Sequence, residues 1–178
     1  MRHLVGACAL GLCLAPGALA QDPRGDLFAG YALVRSDGAN LHGGEVSLAY
    51  HLSRLVGLVL DLDAHRHTAQ SVRHTTAAVL AGPRLTFHAG GGVTAFLHAL
   101  VGAVRDEDSV SVFGAGISAK ETSLGGAAGG GLDLGRGRFG ARVQADYRVA
   151  RRSAEGGGKE TKGDPRIAAG LVLRFGTR

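Results

Sequence analysis

An all-β fold, an eight-stranded antiparallel up-and-down transmembrane β-barrel, is predicted by three features of this 178-residue chain: an export signal, segments of alternating polarity, and connections that alternate short and long. The stretch Phe139 to Tyr147 shows the alternation. Phe139, Ala141, Val143, Ala145 and Tyr147 fall on one face of a strand, and Gly140, Arg142, Gln144 and Asp146 on the other.

Residues 1–20 combine a basic start at Arg2, an apolar run from Leu4 to Ala15, a Pro16-Gly17 break and the small-residue pattern Ala18-Leu19-Ala20. This reads as a cleavable signal peptide cut before Gln21, because the run falls short of the about 20 apolar residues a helical anchor needs. The domain reading is therefore signal peptide 1–20 and barrel 21–178. Cys8 and Cys13 both lie in the removed segment, so the mature chain is expected to have neither thiol chemistry nor a disulfide. Formal charge is +5, or +4 without Arg2, and neither a basic helix nor an RNA-binding aromatic pair is present. Nucleic acid is not expected as a partner; anionic lipid headgroups are. A mean hydropathy of +0.10 with no long apolar run after Ala20 excludes a helical membrane protein, whereas barrel strands hide half their hydrophobicity by alternation.

The first strand is placed at Leu27 to Arg35 and the second at Glu45 to Leu52, with Val46, Leu48, Tyr50 and Leu52 against Glu45, Ser47, Ala49 and His51. In the third, Val56 to His65, the face Val56, Leu58, Leu60, Leu62 and Ala64 opposes Gly57, Val59, Asp61, Asp63 and His65. Two aspartates in one apolar run argue against a helix or a buried parallel strand. The fourth, Ala77 to Phe87, sets Val79, Ala81, Pro83, Leu85 and Phe87 against Leu80, Gly82, Arg84 and Thr86. Pro83 lacks a ladder donor, so a bulge is expected there. The fifth, Val93 to Arg105, is apolar on both parities; Leu97, Ala99, Val101 and Ala103 are placed outward, with His98 and Gly102 inward. The sixth, Leu124 to Leu134, is glycine-rich with Asp133 inward, and Phe139 to Tyr147 is the seventh. The eighth, Ile167 to Phe175, directs Ile167, Ala169, Leu171, Leu173 and Phe175 outward and Arg174 inward.

Short connections fall at Ser53-Arg54, His88 to Gly92 and Gly135 to Arg138, and long ones at Ser36 to Gly44, Arg66 to Thr76, Asp106 to Thr122 and Arg151 to Pro165. That is the periplasmic-turn, extracellular-loop asymmetry of outer-membrane barrels. Phe28, Tyr50, Phe87, Phe139 and Phe175 all lie at the short-turn end of their strands and are read as a periplasmic aromatic girdle. Phe139 and Tyr147, eight residues apart on one face, would be separated by roughly 20 Å along the membrane normal, close to an apolar band about 25 Å tall.

Gly30-Tyr31, Gly82-Pro83-Arg84, Gln144-Ala145-Asp146-Tyr147 and the closing Leu171-Val172-Leu173-Arg174-Phe175, in this order and spacing, make the mature chain resemble the small eight-stranded outer-membrane barrels, the OmpA-like transmembrane domain and its OmpX-like relatives. The resemblance implies an outer-membrane location and insertion by the barrel-assembly machinery. Such chains commonly end on an aromatic residue, and here Gly176-Thr177-Arg178 follow Phe175, which offsets that signal. No peptidoglycan-binding module follows the eighth strand in this sequence, so wall anchoring is not expected.

The lumen is expected to hold Glu45, Asp61, Asp63, Asp133 and Asp146 against Arg84, Arg142, Arg148 and Arg174, with His51, His65 and His98 nearby. Charges of both signs in a narrow interior compensate one another, and about eight strands leave room for side chains and little else. A packed polar plug is favoured over a proton or ion path, with Gly129 and Gly131 making room for long arginines. The expected function is a structural or loop-mediated surface role for a monomeric barrel; a narrow porin-like channel is the alternative and a lipid-modifying enzyme ranks third. His51-Leu52-Ser53 is the only His-x-Ser, and it lies at the short-turn end, away from outer-leaflet lipid. No catalytic residues, metal or cofactor are therefore assigned. The glycine run Gly125 to Gly131 lacks the following Lys-Ser/Thr of a phosphate loop. His65, His67 and His74 could approach one another, and a solvated rim is preferred to a metal site. Val110, Val112, Phe113 and Ile117 load the segment Ser109 to Ser118, either as an adhesive patch or as paired strand extensions. Arg35, Arg66, Arg105, Arg151 and Arg152 are placed to meet lipopolysaccharide phosphates as generic headgroup contacts.

Overall fold

The computed structural model describes residues 23–36, 38–69, 72–112, 115–153 and 159–177, with side chains placed for 23–36, 38–66, 75–107, 121–151, 161 and 163–176. Residues 1–20, expected as a signal peptide, and both cysteines within them lie outside the described residues. The chain forms β1 (Pro23–Ser36), β2 (Ala39–His51), β3 (Val56–Ala69), β4 (Val72–Gly90), β5 (Val93–Val112), β6 (Ala115–Leu134), β7 (Phe139–Ser153) and β8 (Lys159–Thr177). Each strand pairs antiparallel with its sequence neighbours, and β1 pairs with β8, from Pro23 with Thr177 to Val34 with Arg166, to close the barrel. Closure leaves no free edge within the hydrocarbon layer, where an unpaired N–H or C=O would have no water to bond.

All eight strands fall where the alternation puts them. Leu58, Val101 and Leu171 are exposed outward, and Asp61, Leu80, Arg84 and Val172 are buried inward. The outward assignment of β5 holds, with Leu97 and Val101 exposed and Phe96, His98, Leu100 and Val104 buried. The strands are longer than the polarity pattern indicates, and most of the excess lies at the long-connection end, although β1 also gains four residues at the short-turn end. β5 and β6 run 20 residues each, about twice the 9–11 that a tilted strand needs to cross a bilayer. The segments expected as long loops are therefore mostly paired backbone: Asp106 to Val112 meets Ala115 to Glu121, with Val110 opposite Ile117. Above the membrane both faces of a strand meet water, so alternation disappears while the ladder continues to satisfy the backbone.

Pro83 produces no bulge. The β4–β5 ladder omits the pairs at Gly82 and Pro83 and resumes in the same register, Ala81 with Val101 and Arg84 with His98. A missing donor removes ladder bonds without requiring an extra residue. The irregularity in this pair lies at His88 and Gly90, beside the turn.

The lumen is divided lengthwise by polarity. An apolar cluster of Ala49, Val59, Ala78, Leu80, Leu100, Val104 and Ala127 lines the β2–β6 side, and Phe28, Ala32 and Ala168 pack as a second cluster at the β1–β8 seam. Charged side chains occupy the remainder.

Leu171 is 72% exposed and Val172 0%. Placed toward lipid, Leu171→Arg is expected to destabilise the barrel by about 2–4 kcal/mol near the midplane, as read by urea unfolding in bilayers. A cost no larger than that of Leu171→Ala would reverse the inside and outside of β8.

A two-tier charge network in the lumen

The inward charges sort into two groups stacked along the barrel. The first lies toward the short-turn end and gathers Asp26 of β1, His51 of β2, Arg84 of β4, Asp133 of β6 and Arg142 of β7, all buried. Arg142 donates through Nε to Asp133 Oδ1 at 2.6 Å and through Nη2 to Asp133 Oδ2 at 2.9 Å, and Nη2 also reaches Asp26 Oδ1 at 2.6 Å. Arg84 donates Nη1 to both oxygens of Asp26 and Nη2 to Asp133 Oδ2, each at 3.2 Å. His51 Nε2 lies 3.0 Å from Asp26 Oδ2. Two guanidiniums thus share two carboxylates, whose formal charges cancel theirs.

Two aromatic rings complete it. The Arg84 guanidinium lies 4.0 Å from the Phe96 ring centre, and that of Arg142 lies 4.7 Å from Phe96 and 5.1 Å from Phe28. Cation–π contact of this kind gains strength where water is excluded. Phe28 is consequently not part of the girdle: it shares parity with Asp26 and is fully buried, whereas Tyr50, Phe87, Phe139 and Phe175 are exposed at the short-turn end. Aromatic type and height alone cannot separate a lipid anchor from a lumen ring.

The second tier is built around Arg166 of β8, which has no exposed surface. Its Nη1 donates to Asp61 Oδ1 at 3.1 Å and Asp63 Oδ2 at 2.9 Å, its Nη2 to Asp146 Oδ2 at 2.8 Å and Asp61 Oδ2 at 3.3 Å, and its Nε to Asp146 Oδ2 at 3.0 Å. Glu45 Oε2 lies 3.5 Å from Arg166 Nη1, and Oε1 accepts from Gln144 Nε2 at 2.7 Å. Arg148 donates to Asp63 Oδ1 at 3.0 Å. His65 Nδ1 lies 3.0 Å from Asp63 and His98 Nε2 2.6 Å from Asp146. Four carboxyl groups therefore face two guanidiniums and two imidazoles. Above this tier sits a cavity of about 20 Å³ lined by Val34, Leu41, His65, Thr76, Arg148 and Asp164, room for a water or two.

Of the residues assigned to the lumen, Glu45, Asp61, Asp63, Arg84, Asp133, Arg142, Asp146 and Arg148 are all buried there. Arg174 is not among these partners: its Nη1 donates to the carbonyls of Gly135 at 3.1 Å and Gly137 at 3.3 Å, capping the β6–β7 turn. It shares inward parity but lies beyond the lumen. Asp26 and Arg166 were missed because the polarity pattern starts their strands at Leu27 and Ile167, each one residue past the charge. Extending the alternation by one position in β1 and β8 finds both. The glycines of β6 give room to neighbours other than arginine: a β-carbon at Gly129 would strike Asp146, and one at Gly131 would lie 2.8 Å from the Phe96 ring and 2.7 Å from Gln144 Cβ. At the turn, Ser53 is exposed and its Oγ accepts from the amides of Leu55 and Val56 at 3.2 and 2.9 Å, while His51 turns inward to Asp26. The side chains of His67 and His74 lie outside the described residues, and among those described no three His, Cys, Asp or Glu side chains are placed to hold a metal ion.

Arg142 shares carboxylates with Arg84 and none with Arg166, so coupling is expected to be selective. In double-mutant cycles read by unfolding in lipid, Arg142→Met and Asp133→Asn should couple by about 0.5–3 kcal/mol, while Arg142→Met and Asp61→Asn should add within about 0.5 kcal/mol. Equal coupling to both aspartates would merge the two tiers.

No protein-family model matches the chain, and no curated protein does. Solved structures share its architecture. Ail, the attachment invasion locus protein of Yersinia pestis, is 21% identical with a TM-score of 0.56, over 85% of this chain and 96% of that one. Neisserial surface protein A is 18% identical with a TM-score of 0.60 over the same shares. The N-terminal β-barrel domain of Pseudomonas aeruginosa OprF is 18% identical with a TM-score of 0.54, over 86% of this chain and 100% of that one. The fold of this chain is that of the small eight-stranded outer-membrane β-barrels.

Proposed function

We propose that this chain is an integral outer-membrane barrel, inserted by the barrel-assembly machinery as a monomer, whose lumen is closed by charged side chains and whose activity lies at the cell surface. The observation that carries the closed lumen is the lower tier, in which Arg84 and Arg142 bridge Asp26 and Asp133 between two rings. An ion crossing there must break charge-assisted hydrogen bonds in a desolvated site, and removing one member of such a pair leaves a buried charge uncompensated. A channel would need a continuous wet path instead.

A surface role is supported by the strand extensions. β3, β4, β5 and β6 continue pairing above the apolar band, a hydrogen-bonded projection suited to contact outside the cell. Arg35, Arg66, Arg105 and Arg151 are exposed at the base of these extensions, one on each odd-numbered strand, where lipopolysaccharide phosphates would meet them. The Arg152 side chain lies outside the described residues. Ail has also been solved with the heparin analogue sucrose octasulfate, a polyanion. For this chain the corresponding proposal is polyanion contact by the arginine rim. Enzymatic work on lipid is not proposed, since no described serine and histidine meet on the lipid-facing surface.

Planar-bilayer recording of the purified chain from Gln21 tests the closed lumen. Little or no steady conductance is expected, and Arg142→Ala with Asp133→Ala should raise it by thinning the lower tier. Large, steady unitary currents from the unmodified barrel would reject the closed lumen in favour of a narrow channel.

A further inference from the structure

The two ends of the barrel differ in charge chemistry. At the long-strand end the basic rim is mixed with Asp106, Glu107, Glu121 and Asp164, and all three lysines, Lys120, Lys159 and Lys162, belong to that end. At the short-turn end Arg24, Arg54, Arg136 and Arg138 are exposed and Arg174 is half-buried, while the nearest carboxylates among the described residues, Asp26 and Asp133, are turned into the lumen. Among the described residues this end exposes guanidinium and no carboxylate.

Three of these arginines are organised by one corner. Gly135 N donates to Gly92 O at 2.9 Å, and Arg136 Nε donates to Gly91 O at 3.3 Å, which holds the β4–β5 and β6–β7 turns side by side. Arg174 N donates to Arg138 O at 2.7 Å, and the Arg174 side chain caps the same turn. Gly135 and Gly137 have φ of 128° and 82°, so Arg136 is presented on a bend that side-chain-bearing residues rarely form. Directly above lie exposed Leu132, Leu134, Phe87 and Phe139, the lower margin of the apolar band.

We infer that this arginine corner binds the phosphates of anionic phospholipid in the inner leaflet of the outer membrane. A guanidinium offers a planar fork that matches phosphate, and arginines just beyond an aromatic girdle sit at headgroup depth. The turns are too short to carry them further: residues 91–92 and 135–138 are all that separates the strands. Cell-wall carboxylates, the other polyanion on this side, lie beyond that reach. The inference rests on the barrel spanning a membrane, and it adds the leaflet and the lipid class.

The test reconstitutes the chain from Gln21 into phosphatidylcholine vesicles with a minor share of cardiolipin, and measures co-retained lipid by native mass spectrometry. The wild-type barrel is expected to retain cardiolipin over phosphatidylcholine. Arg136→Ala with Arg138→Ala should reduce that preference about tenfold or more, at about 1 kcal/mol for each basic residue near a charged surface. Arg136→Lys with Arg138→Lys should keep most of it. Heat-modifiable gel migration reports folding, and if the double alanine variant fails to fold, Arg138→Gln alone should lower the preference in proportion. Equal retention of both lipids by the wild type, or an unchanged preference in a folded charge-removed variant, overturns the inference. So does sedimentation with purified peptidoglycan that depends on Arg136 and Arg138 in the absence of lipid preference. Failure of the wild type to insert into phosphatidylcholine vesicles at all would instead reject the membrane reading beneath it.

Discussion

Closure of the ladder by β1 and β8 is the constraint from which the rest follows. Within hydrocarbon an open sheet edge has no partner, so the first and last strands must meet in register along their whole apolar length, from Gly25 with Phe175 to Leu33 with Ile167. That register also fixes the interior. It brings Asp26 opposite Arg174 and Val34 opposite Arg166, which places the two charges absent from the polarity pattern at different depths of one seam. Asp26 then supplies the second carboxylate of the lower tier, and Arg166 the central cation of the upper one. Without closure, neither tier would have its shared member.

A narrow lumen makes this sharing necessary. Arg84 has been taken from water and has two carboxylates as partners, each shared with Arg142. A one-to-one pair would leave donors of each guanidinium unused, and unmade bonds on buried charges are costly. Bridging by Asp26 and Asp133 satisfies more donors with the same two carboxylates, and the Phe28 and Phe96 rings cover guanidinium faces that make no hydrogen bonds. In the upper tier Arg166 by itself reaches Asp61, Asp63 and Asp146, and its ladder neighbours are Asp146 of β7 and Val34 of β1.

The sequence showed the fold and much of the lumen, and what it concealed has physical causes. Alternation is created by the difference between lipid and lumen, so it located every strand across the apolar band and the inward parity of Glu45, Asp61, Asp63, Arg84 and Asp146. It ended where that difference ends, which shortened each strand above the membrane and hid the paired extensions. Parity specifies a face but not a height, and so Arg174 was grouped with the lumen although it caps a turn. Aromatic character specifies neither, and Phe28 entered the girdle on height alone. Pairing across the lumen was not legible at all: Arg142 and Asp26 are separated by 116 residues and meet only because the barrel closes.

The two tiers also act differently on an ion approaching from either side. From the long-strand end a cation would first meet four carboxyl groups already engaged by Arg148, Arg166 and two imidazoles, and then two guanidiniums lying over rings. An anion would meet the same mixture of carboxyl, guanidinium and imidazole groups before it reached those guanidiniums. Coming from the short-turn end, an anion would be drawn by the exposed arginines and by Arg84 and Arg142, but the mixed upper tier would still lie across its exit. On the proposed closure neither sign would find a monotonic path, because that closure rests on opposed charge in series rather than on a single steric constriction. Removing one tier would therefore change which ion is repelled before it opened the barrel to both.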